Sequence, residues 1–206
     1  MFRCLASLSL VLLSSHLWAG EFNPTLKIGD SAPGWSKLPG TDGNTHSMAD
    51  LADKKVIVVV FTCNSCPTAV DYEQRIVAIA RKYAADPQSP VAVVAINSNT
   101  IAADRMDKMI DRAKERGFPF AYLHDESQKV AKAFGAQYTP EAFVLDADRK
   151  VVYMGAIDDK TKAEEAKISY VAQAIEAALA GKAPEKVETL PRGCRIRFNK
   201  ARRDDD

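Results

Sequence analysis

The six apolar residues Val56–Phe61, which lead almost directly into Cys63-Asn64-Ser65-Cys66-Pro67, constrain the fold of this chain more than any other feature. Five of the six are β-branched, and the run is too short for a helix, so it predicts a strand that is covered on both faces. Apolar residues then recur at roughly helical spacing from Val70 to Tyr83. The predicted order is therefore strand, turn and helix, with two cysteines at the junction.

The alternation of strand and helix continues along the chain and predicts an α/β fold with a central mixed, mostly parallel sheet and helices on both faces. A β-hairpin near the end of the domain adds antiparallel pairing at one side of this sheet. Residues 20–54 are rich in Gly, Pro, Asp and Ser and predict an irregular lead-in with a small hairpin. The later predicted elements are a strand at Val91–Ile96, a helix from about Ala102 to Arg116 stopped by Gly117, a short strand ending at Leu123, a helix from about Ser127 to Phe134 ended by Gly135, a hairpin of residues 142–146 and 150–154, and a helix at Ala163–Ala180.

The two ends of the chain differ from the 20–182 domain between them. Residues 1–19 combine Arg3, the apolar run Leu8–Leu13 and small residues near Ala19, which predicts a cleaved secretory signal peptide and hence an exported, periplasmic or cell-envelope protein. No segment approaches the roughly 20 apolar residues of a membrane-spanning helix. Residues 183–206 read as an extension whose tip, from Lys200 onward, we expect to be mobile.

The charge balance disfavours nucleic acid and anionic membranes as partners. Removal of residues 1–19 takes away Arg3 alone, so 27 basic and 27 acidic residues remain. A neutral chain has no bulk attraction to nucleic acid or to an anionic membrane. A Gly-rich phosphate-binding loop is also missing from the sequence, so we expect no nucleotide or other cofactor.

The spacing of Cys63 and Cys66 suits thiol–disulfide exchange. Two cysteines in a Cys-x-x-Cys segment at the start of a helix can close a small disulfide ring, and free N–H groups at the helix start favour a thiolate. We expect Cys63 to be the attacking sulfur and Cys66 the resolving one, with Pro67 in the first helical turn. A zinc site is disfavoured because it needs four ligands, and the further candidates His46, His124 and Cys194 lie at scattered positions in the sequence. An inert structural disulfide is disfavoured because so small a ring removes little chain entropy from the unfolded state.

The run Val59–Pro67, together with Thr139-Pro140-Glu141 before another strand, resembles the thioredoxin-like superfamily. They are most similar to its redoxin branch, the alkyl hydroperoxide reductase/thiol-specific antioxidant type with a CNxCP motif. The resemblance covers about residues 28–198, including Gly29–Pro33 and Gly193–Ile196. It implies a thioredoxin-like fold and a cis peptide bond between Thr139 and Pro140, next to the cysteine pair, where a substrate chain can dock. By the same resemblance, the supporting and substrate-docking residues are Thr62, Asn64, Ser65, Pro67, Thr139 and Pro140.

The sequence also departs from this family pattern. Ser65 stands where close relatives often carry His, which removes one cationic contributor to thiolate stability. The strand before the cysteine pair carries no acidic residue, in contrast to thioredoxins. Asp71, Glu73 and Glu141 are candidate general bases because they lie near the pair in sequence, although such charged side chains are usually solvated. Peroxiredoxins place Thr and Pro before the peroxidatic cysteine, where this chain has Val60 and Val56.

Cys194 is a third cysteine in the exported chain, since Cys4 leaves with the signal peptide. The alternation around it predicts a short edge strand with Ile196 and Phe198 facing inward. A buried structural cysteine is the favoured interpretation. The alternative is a third redox cysteine that exchanges with the pair.

The combined motifs favour a thiol–disulfide oxidoreductase that uses Cys63 and Cys66 on protein thiols or disulfides, or with a dithiol reductant as its partner. A thiol peroxidase of the peroxiredoxin type is the main alternative. A Cu(I)-binding module is a less favoured one, because thiolates prefer soft metal ions; apart from it we expect no metal.

Overall fold

The computed structural model of this protein describes residues 20–199. The predicted signal peptide and the predicted mobile tip lie outside these residues. The strands are β1 (Leu38–Pro39), β2 (Thr45–His46), β3 (Val56–Phe61), β4 (Val91–Asn97), β5 (Ala121–His124), β6 (Tyr138–Thr139), β7 (Glu141–Leu145), β8 (Val151–Gly155) and β9 (Cys194–Arg195). The α-helices are α1 (Pro67–Tyr83), α2 (Met106–Arg116), α3 (Lys129–Phe134) and α4 (Tyr170–Leu179).

The central sheet has five strands in the order β5-β4-β3-β7-β8. Strand β3 pairs in parallel with β4 and antiparallel with β7, and β7 and β8 form the expected hairpin. All six residues of β3 are buried, as its continuous apolar sequence predicts for a strand covered on both faces. The mixed α/β sheet predicted from the sequence is confirmed.

Alternate residues of β3 face two different cores. On one face Phe61 packs edge-on against Phe134 of α3 and Phe143 of β7, with ring centroids 5.5 and 5.7 Å apart. On the other face Val58 belongs to a core that includes α1 and α4. Helices therefore lie on both faces of β3, and its side chains enter two buried cores.

Two predicted helices are shorter than the sequence suggested. The stretch 102–116 divides into a 3-10 turn at Ala102–Asp104 and helix α2, because Arg105 is extended. The stretch 163–180 divides similarly, since the Asp159 carboxylate accepts the backbone N–H groups of residues 167 and 168 and Ser169 caps α4. In both cases a carboxylate near the break makes hydrogen bonds that a continuous helix would not contain, a competition that periodicity does not reveal.

The segment after α4 packs along the body of the protein up to Asn199. The Glu188 carboxylate accepts hydrogen bonds from the backbone N–H groups of residues 21–23. Further on, β9 pairs antiparallel with β6, so that Thr139 lies opposite Cys194. The extension thus brings a third cysteine to the strand that precedes Pro140.

Between residues 20 and 199, none of the helices combines the length and the apolar character that crossing a membrane requires.

Candidate active site

The two cysteines of the Cys-x-x-Cys segment lie where β3 gives way to α1. Cys66 is the N-cap of α1, with an extended backbone, and its Sγ accepts the backbone N–H of Ala69 at 3.4 Å. Pro67 occupies the first helical position, where the N–H that proline lacks is not needed. A sulfur thus takes the place that a Ser or Asp oxygen usually fills at a helix start.

Both thiols also contact Thr139, the residue before the cis peptide bond to Pro140. Cys63 Sγ lies 3.3 Å from Thr139 Oγ1, and the Cys66 thiol donates to the Thr139 carbonyl at 3.2 Å. Cys63 and Cys66 are each only 2% exposed. The cis bond that the resemblance implied is present, and Thr139 lies directly against the cysteine pair.

The turn between the cysteines is held by Asp104, which is completely buried. Its Oδ1 accepts the backbone N–H groups of Asn64 and Ser65 at 2.7 and 3.1 Å, and its Oδ2 accepts the Ser65 hydroxyl at 2.6 Å. The side-chain amides of Asn97 and Asn99 complete the set of donors. The acid that β3 lacks therefore comes from the 3-10 turn after β4.

Asp104 was missed from the sequence, where it falls inside a stretch with helical periodicity. The folded chain brings it against a loop that lies 39 residues away. No local pattern marks such a contact, because the hydrogen-bond donors belong to another loop.

The backbone N–H groups of Ala69 and Cys194 both point to Cys66 Sγ and favour its ionisation, whereas the Thr139 carbonyl favours its neutral thiol. Hydrogen bonding from the Cys63 thiol, with further donors at Cys194 and the Ala69 backbone, lowers the pKa of Cys66. The same contact with Cys66, burial and the nearby Asp104 charge raise the pKa of Cys63. The sequence predicted a helix-start N–H contact for Cys63, whereas the Ala69 N–H at the start of α1 points to Cys66.

Cys194 is exposed, so the favoured interpretation of a buried structural cysteine was wrong. Its backbone N–H donates to Cys66 Sγ at 3.3 Å. Hydrogen bonding to Cys66 and burial raise the pKa of the Cys194 thiol. On the same strand segment Ile196 is buried as expected, whereas Phe198 is 37% exposed and does not face inward.

Within residues 20–199, none of the three candidate bases hydrogen-bonds to a cysteine sulfur. Asp71 is exposed, as expected for a solvated side chain. Glu73 is buried and paired with Arg112 at 2.7 Å. Glu141 is buried and accepts the backbone N–H groups of residues 137 and 138, and burial raises its pKa to about 7. The expectation that such charges are solvated fails for Glu73 and Glu141.

The remaining predicted site residues line the same turn. Thr62 is buried, and its backbone N–H donates to the carbonyl of Ile96. Asn64 donates to the Ala103 carbonyl and accepts the Tyr122 hydroxyl at 3.0 Å. Within residues 20–199, His, Cys, Asp and Glu side chains form no group of three or more that could hold a metal ion.

Comparison with known proteins relates this site to thiol redox proteins. Residues 27–172 match the family model described as Redoxin. A candidate peroxiredoxin from two strains of Mycobacterium tuberculosis is 27% identical over 143 residues, which are 62% of this chain and 83% of that protein. The crystal structure of an uncharacterised conserved protein from Geobacillus kaustophilus has a TM-score of 0.79 and 33% identity, covering 87% of this chain and 96% of that one.

The solution structure of a candidate thioredoxin from Neisseria meningitidis has a TM-score of 0.57 and 25% identity, covering 74% of this chain and 91% of that one. These likenesses confirm the thioredoxin-like fold that the sequence resemblance implied.

Proposed function

Because this chain belongs to the redoxin family and has a thiol redox function, we propose that Cys63 and Cys66 form its working dithiol–disulfide couple. The couple would make the protein a thiol–disulfide oxidoreductase that acts on protein disulfides or thiols. Neither the reduction of a partner disulfide nor the oxidation of partner thiols requires a cofactor, since the two sulfurs themselves donate or accept the electrons.

One observation carries this proposal, namely that both thiols converge on a single residue. Cys63 contacts the Thr139 hydroxyl and Cys66 contacts the Thr139 carbonyl, while Cys66 caps α1. Two sulfurs held this closely at a helix start can form a disulfide, and the capping N–H stabilises the thiolate that is released when the disulfide opens. Ionisation of Cys66 would make it the nucleophile within the pair.

A partner of protein size is supported by the short strand next to the pair. Strand β6 ends at Thr139, immediately beside both sulfurs, and β9 of this chain already pairs with it there as an extended segment. Extended polypeptides commonly bind by adding main-chain hydrogen bonds of this kind. We therefore favour protein thiols and disulfides over small molecules as substrates, with a dithiol reductant as the recycling partner.

The test is catalysis of insulin disulfide reduction with dithiothreitol as the electron source. We expect the wild-type protein to accelerate the reaction and the double variant Cys63→Ser/Cys66→Ser to lose that acceleration while its urea unfolding midpoint stays close to that of the reduced wild type. Equal rates for the double variant and the wild type would refute the assignment. Equilibration in glutathione and dithiothreitol buffers then gives the reduction potential, where a low value indicates a reductase and a high value an oxidant.

A thiol peroxidase is the second candidate, favoured by the likeness to the candidate peroxiredoxin of Mycobacterium tuberculosis. Against it, Val60 and Val56 stand where the resemblance calls for Thr and Pro. Consumption of hydrogen peroxide coupled to a dithiol reductant separates the two activities. We expect insulin reduction to exceed peroxide turnover.

Export is part of the proposal and rests on residues 1–19. Expression of the full chain followed by sequencing of the mature N-terminus tests it. We expect a protein in the cell envelope fraction that begins near Gly20, and recovery of the full-length chain from the cytoplasm would contradict export.

A further inference from the structure

The three cysteines of the described chain form one connected group, with Cys66 in the middle. Cys63 and Cys66 both contact Thr139, and on its other side Cys66 accepts the backbone N–H of Cys194 at 3.3 Å. We propose that Cys194 is the sulfur that reacts with the partner protein and that it passes the disulfide to Cys66, which passes it to Cys63. This relay rests on the proposed function of the Cys63/Cys66 couple and assigns its point of exchange with other proteins.

Exposure of the three thiols supports this order. Thiol–disulfide exchange requires the attacking sulfur to reach its target in line with the S–S bond, so its rate depends on access. Cys63 and Cys66 are each 2% exposed, which leaves a protein disulfide almost no approach to either sulfur. Cys194 is exposed. A partner can therefore reach Cys194 without any opening of the fold.

The backbone of β9 holds Cys194 against the pair. Residues Thr139 and Cys194 are opposite each other in the antiparallel β6–β9 ladder, and the Cys194 N–H donates to Cys66 Sγ at 3.3 Å. Gly193 makes this approach possible, because a Cβ at that position would lie only 2.0 Å from the Thr139 carbonyl oxygen. Any larger residue at position 193 would push β9, and Cys194 with it, away from Cys66.

The relay conserves electrons at every step. When the reduced protein meets a partner disulfide, the Cys194 thiol loses its proton as its sulfur attacks one partner sulfur, and the other partner sulfur leaves as a thiolate that takes up a proton. Cys66 then attacks Cys194 Sγ, which breaks the mixed disulfide, releases the second partner sulfur and forms the Cys66–Cys194 disulfide. Finally Cys63 attacks Cys66 Sγ, and Cys194 leaves as a thiolate that takes up a proton.

The net reaction transfers two electrons and two protons from Cys63 and Cys66 to the partner, which becomes a dithiol. The reverse sequence oxidises a partner dithiol. Cys194 returns to its starting state in both directions.

The test is a single-turnover reaction of the fully reduced protein with excess insulin, quenched with acid and mapped by mass spectrometry for the Cys63–Cys66 disulfide. We expect Cys194→Ser to slow its formation by roughly tenfold or more, because the exposed entry sulfur is lost. Gly193→Ala keeps the thiol but displaces it, so it should slow the reaction as well. Arg195→Gln changes an exposed neighbour on the same strand and should react at the wild-type rate.

The Cys63→Ser variant should accumulate the Cys66–Cys194 disulfide, because the last step of the relay is blocked. The relay is overturned if Cys194→Ser reacts within about twofold of the wild type, or if insulin becomes attached to Cys66 rather than Cys194 in the Cys63→Ser variant. If Cys194→Ser slows the reaction by more than twofold but less than tenfold, the Cys63→Ser variant decides: the relay is supported if that variant accumulates the Cys66–Cys194 disulfide and overturned if it does not.

Failure of the proposed function has a different signature. In that case the wild-type protein itself forms no Cys63–Cys66 disulfide with insulin, and the relay falls with it. If the wild type forms the disulfide and Cys194→Ser forms it equally fast, the couple stands and the relay alone is refuted.

Discussion

Substitution of Asp104 by Asn should both destabilise the protein and make Cys63 more reactive. The Asp104 carboxylate is completely buried and accepts hydrogen bonds from two backbone N–H groups, one hydroxyl and two side-chain amides. Its negative charge also raises the pKa of Cys63. The substitution keeps the shape of the side chain, removes the charge and replaces one acceptor oxygen by a donor.

The size of the effect follows from these contacts. The remaining oxygen of Asn can still accept the N–H groups of Asn64 and Ser65, and the Ser65 hydroxyl can rotate to accept instead of donate. The amide of Asn99, 3.1 Å from Asp104 Oδ2, would face a second donor. Hydrogen bonds to a charged acceptor are worth about 1.5–3 kcal/mol, and a buried group without a partner costs about 1–3 kcal/mol. We expect Asp104→Asn to lose about 2–4 kcal/mol of unfolding free energy.

Urea unfolding of the reduced protein measures the stability, and alkylation by iodoacetamide at fixed pH, mapped by mass spectrometry, measures the Cys63 thiolate. Asp125→Asn is a matched control, because Asp125 is also completely buried and accepts hydrogen bonds from Ser98 and Ala131. It should lose comparable stability without any change at Cys63. A loss of less than about 1 kcal/mol for Asp104→Asn, or equal Cys63 alkylation in the two variants, would refute the reasoning.

Two further predictions concern ionisation. Near neutral pH an unperturbed thiol, with a pKa of about 8.5, is mostly protonated. The reduced protein should instead show the ultraviolet absorbance of a thiolate, which Cys66→Ser should abolish and Cys63→Ser should largely retain. The opposite pattern would make Cys63 the resting thiolate. The second prediction concerns Glu141, whose pKa is raised by burial from 4.5 to about 7. Between these values the folded protein keeps a proton that the unfolded chain releases, so this group's contribution to stability is complete below 4.5 and is lost as the pH rises through 7. Each pKa unit is worth about 1.4 kcal/mol, so the unfolding free energy of Glu141→Gln, measured in urea, should rise by up to roughly 3 kcal/mol relative to the wild type from acidic to mildly alkaline pH. A difference between the two proteins that does not change with pH would contradict this.

Much of the fold could be predicted because its signals are local. The apolar run at β3 and the cysteine pair before α1 are contiguous in sequence, and the structure has them as expected. The ends of the helices were predicted less well. A helix was expected through Arg105, but Asp104 turns its carboxylate to the cysteine loop, and no periodicity reports that competition.

The candidate site was also predictable from the sequence only where its signals are local. The spacing of Cys63 and Cys66 at a strand-to-helix junction identifies a thiol pair and the reaction class that suits it. The sequence cannot tell which sulfur accepts the capping N–H group, because this depends on whether the helix begins before or after Cys66. The structure starts α1 at Pro67 and thereby makes Cys66, and not Cys63, the residue that receives the capping N–H group.

The sequence by itself determined the α/β class, the strand-turn-helix unit and the presence of a Cys-x-x-Cys pair, because these depend on the periodicity and chemistry of neighbouring residues. The tertiary structure alone decided that Asp104 anchors the cysteine loop and that Cys194 joins the pair on an exposed strand. Both are contacts between distant segments, formed when loops with unsatisfied hydrogen-bonding groups are brought together by packing of the sheet and its helices. The position of the third thiol therefore follows from the pairing of β9 with β6 and from the absence of a side chain at Gly193.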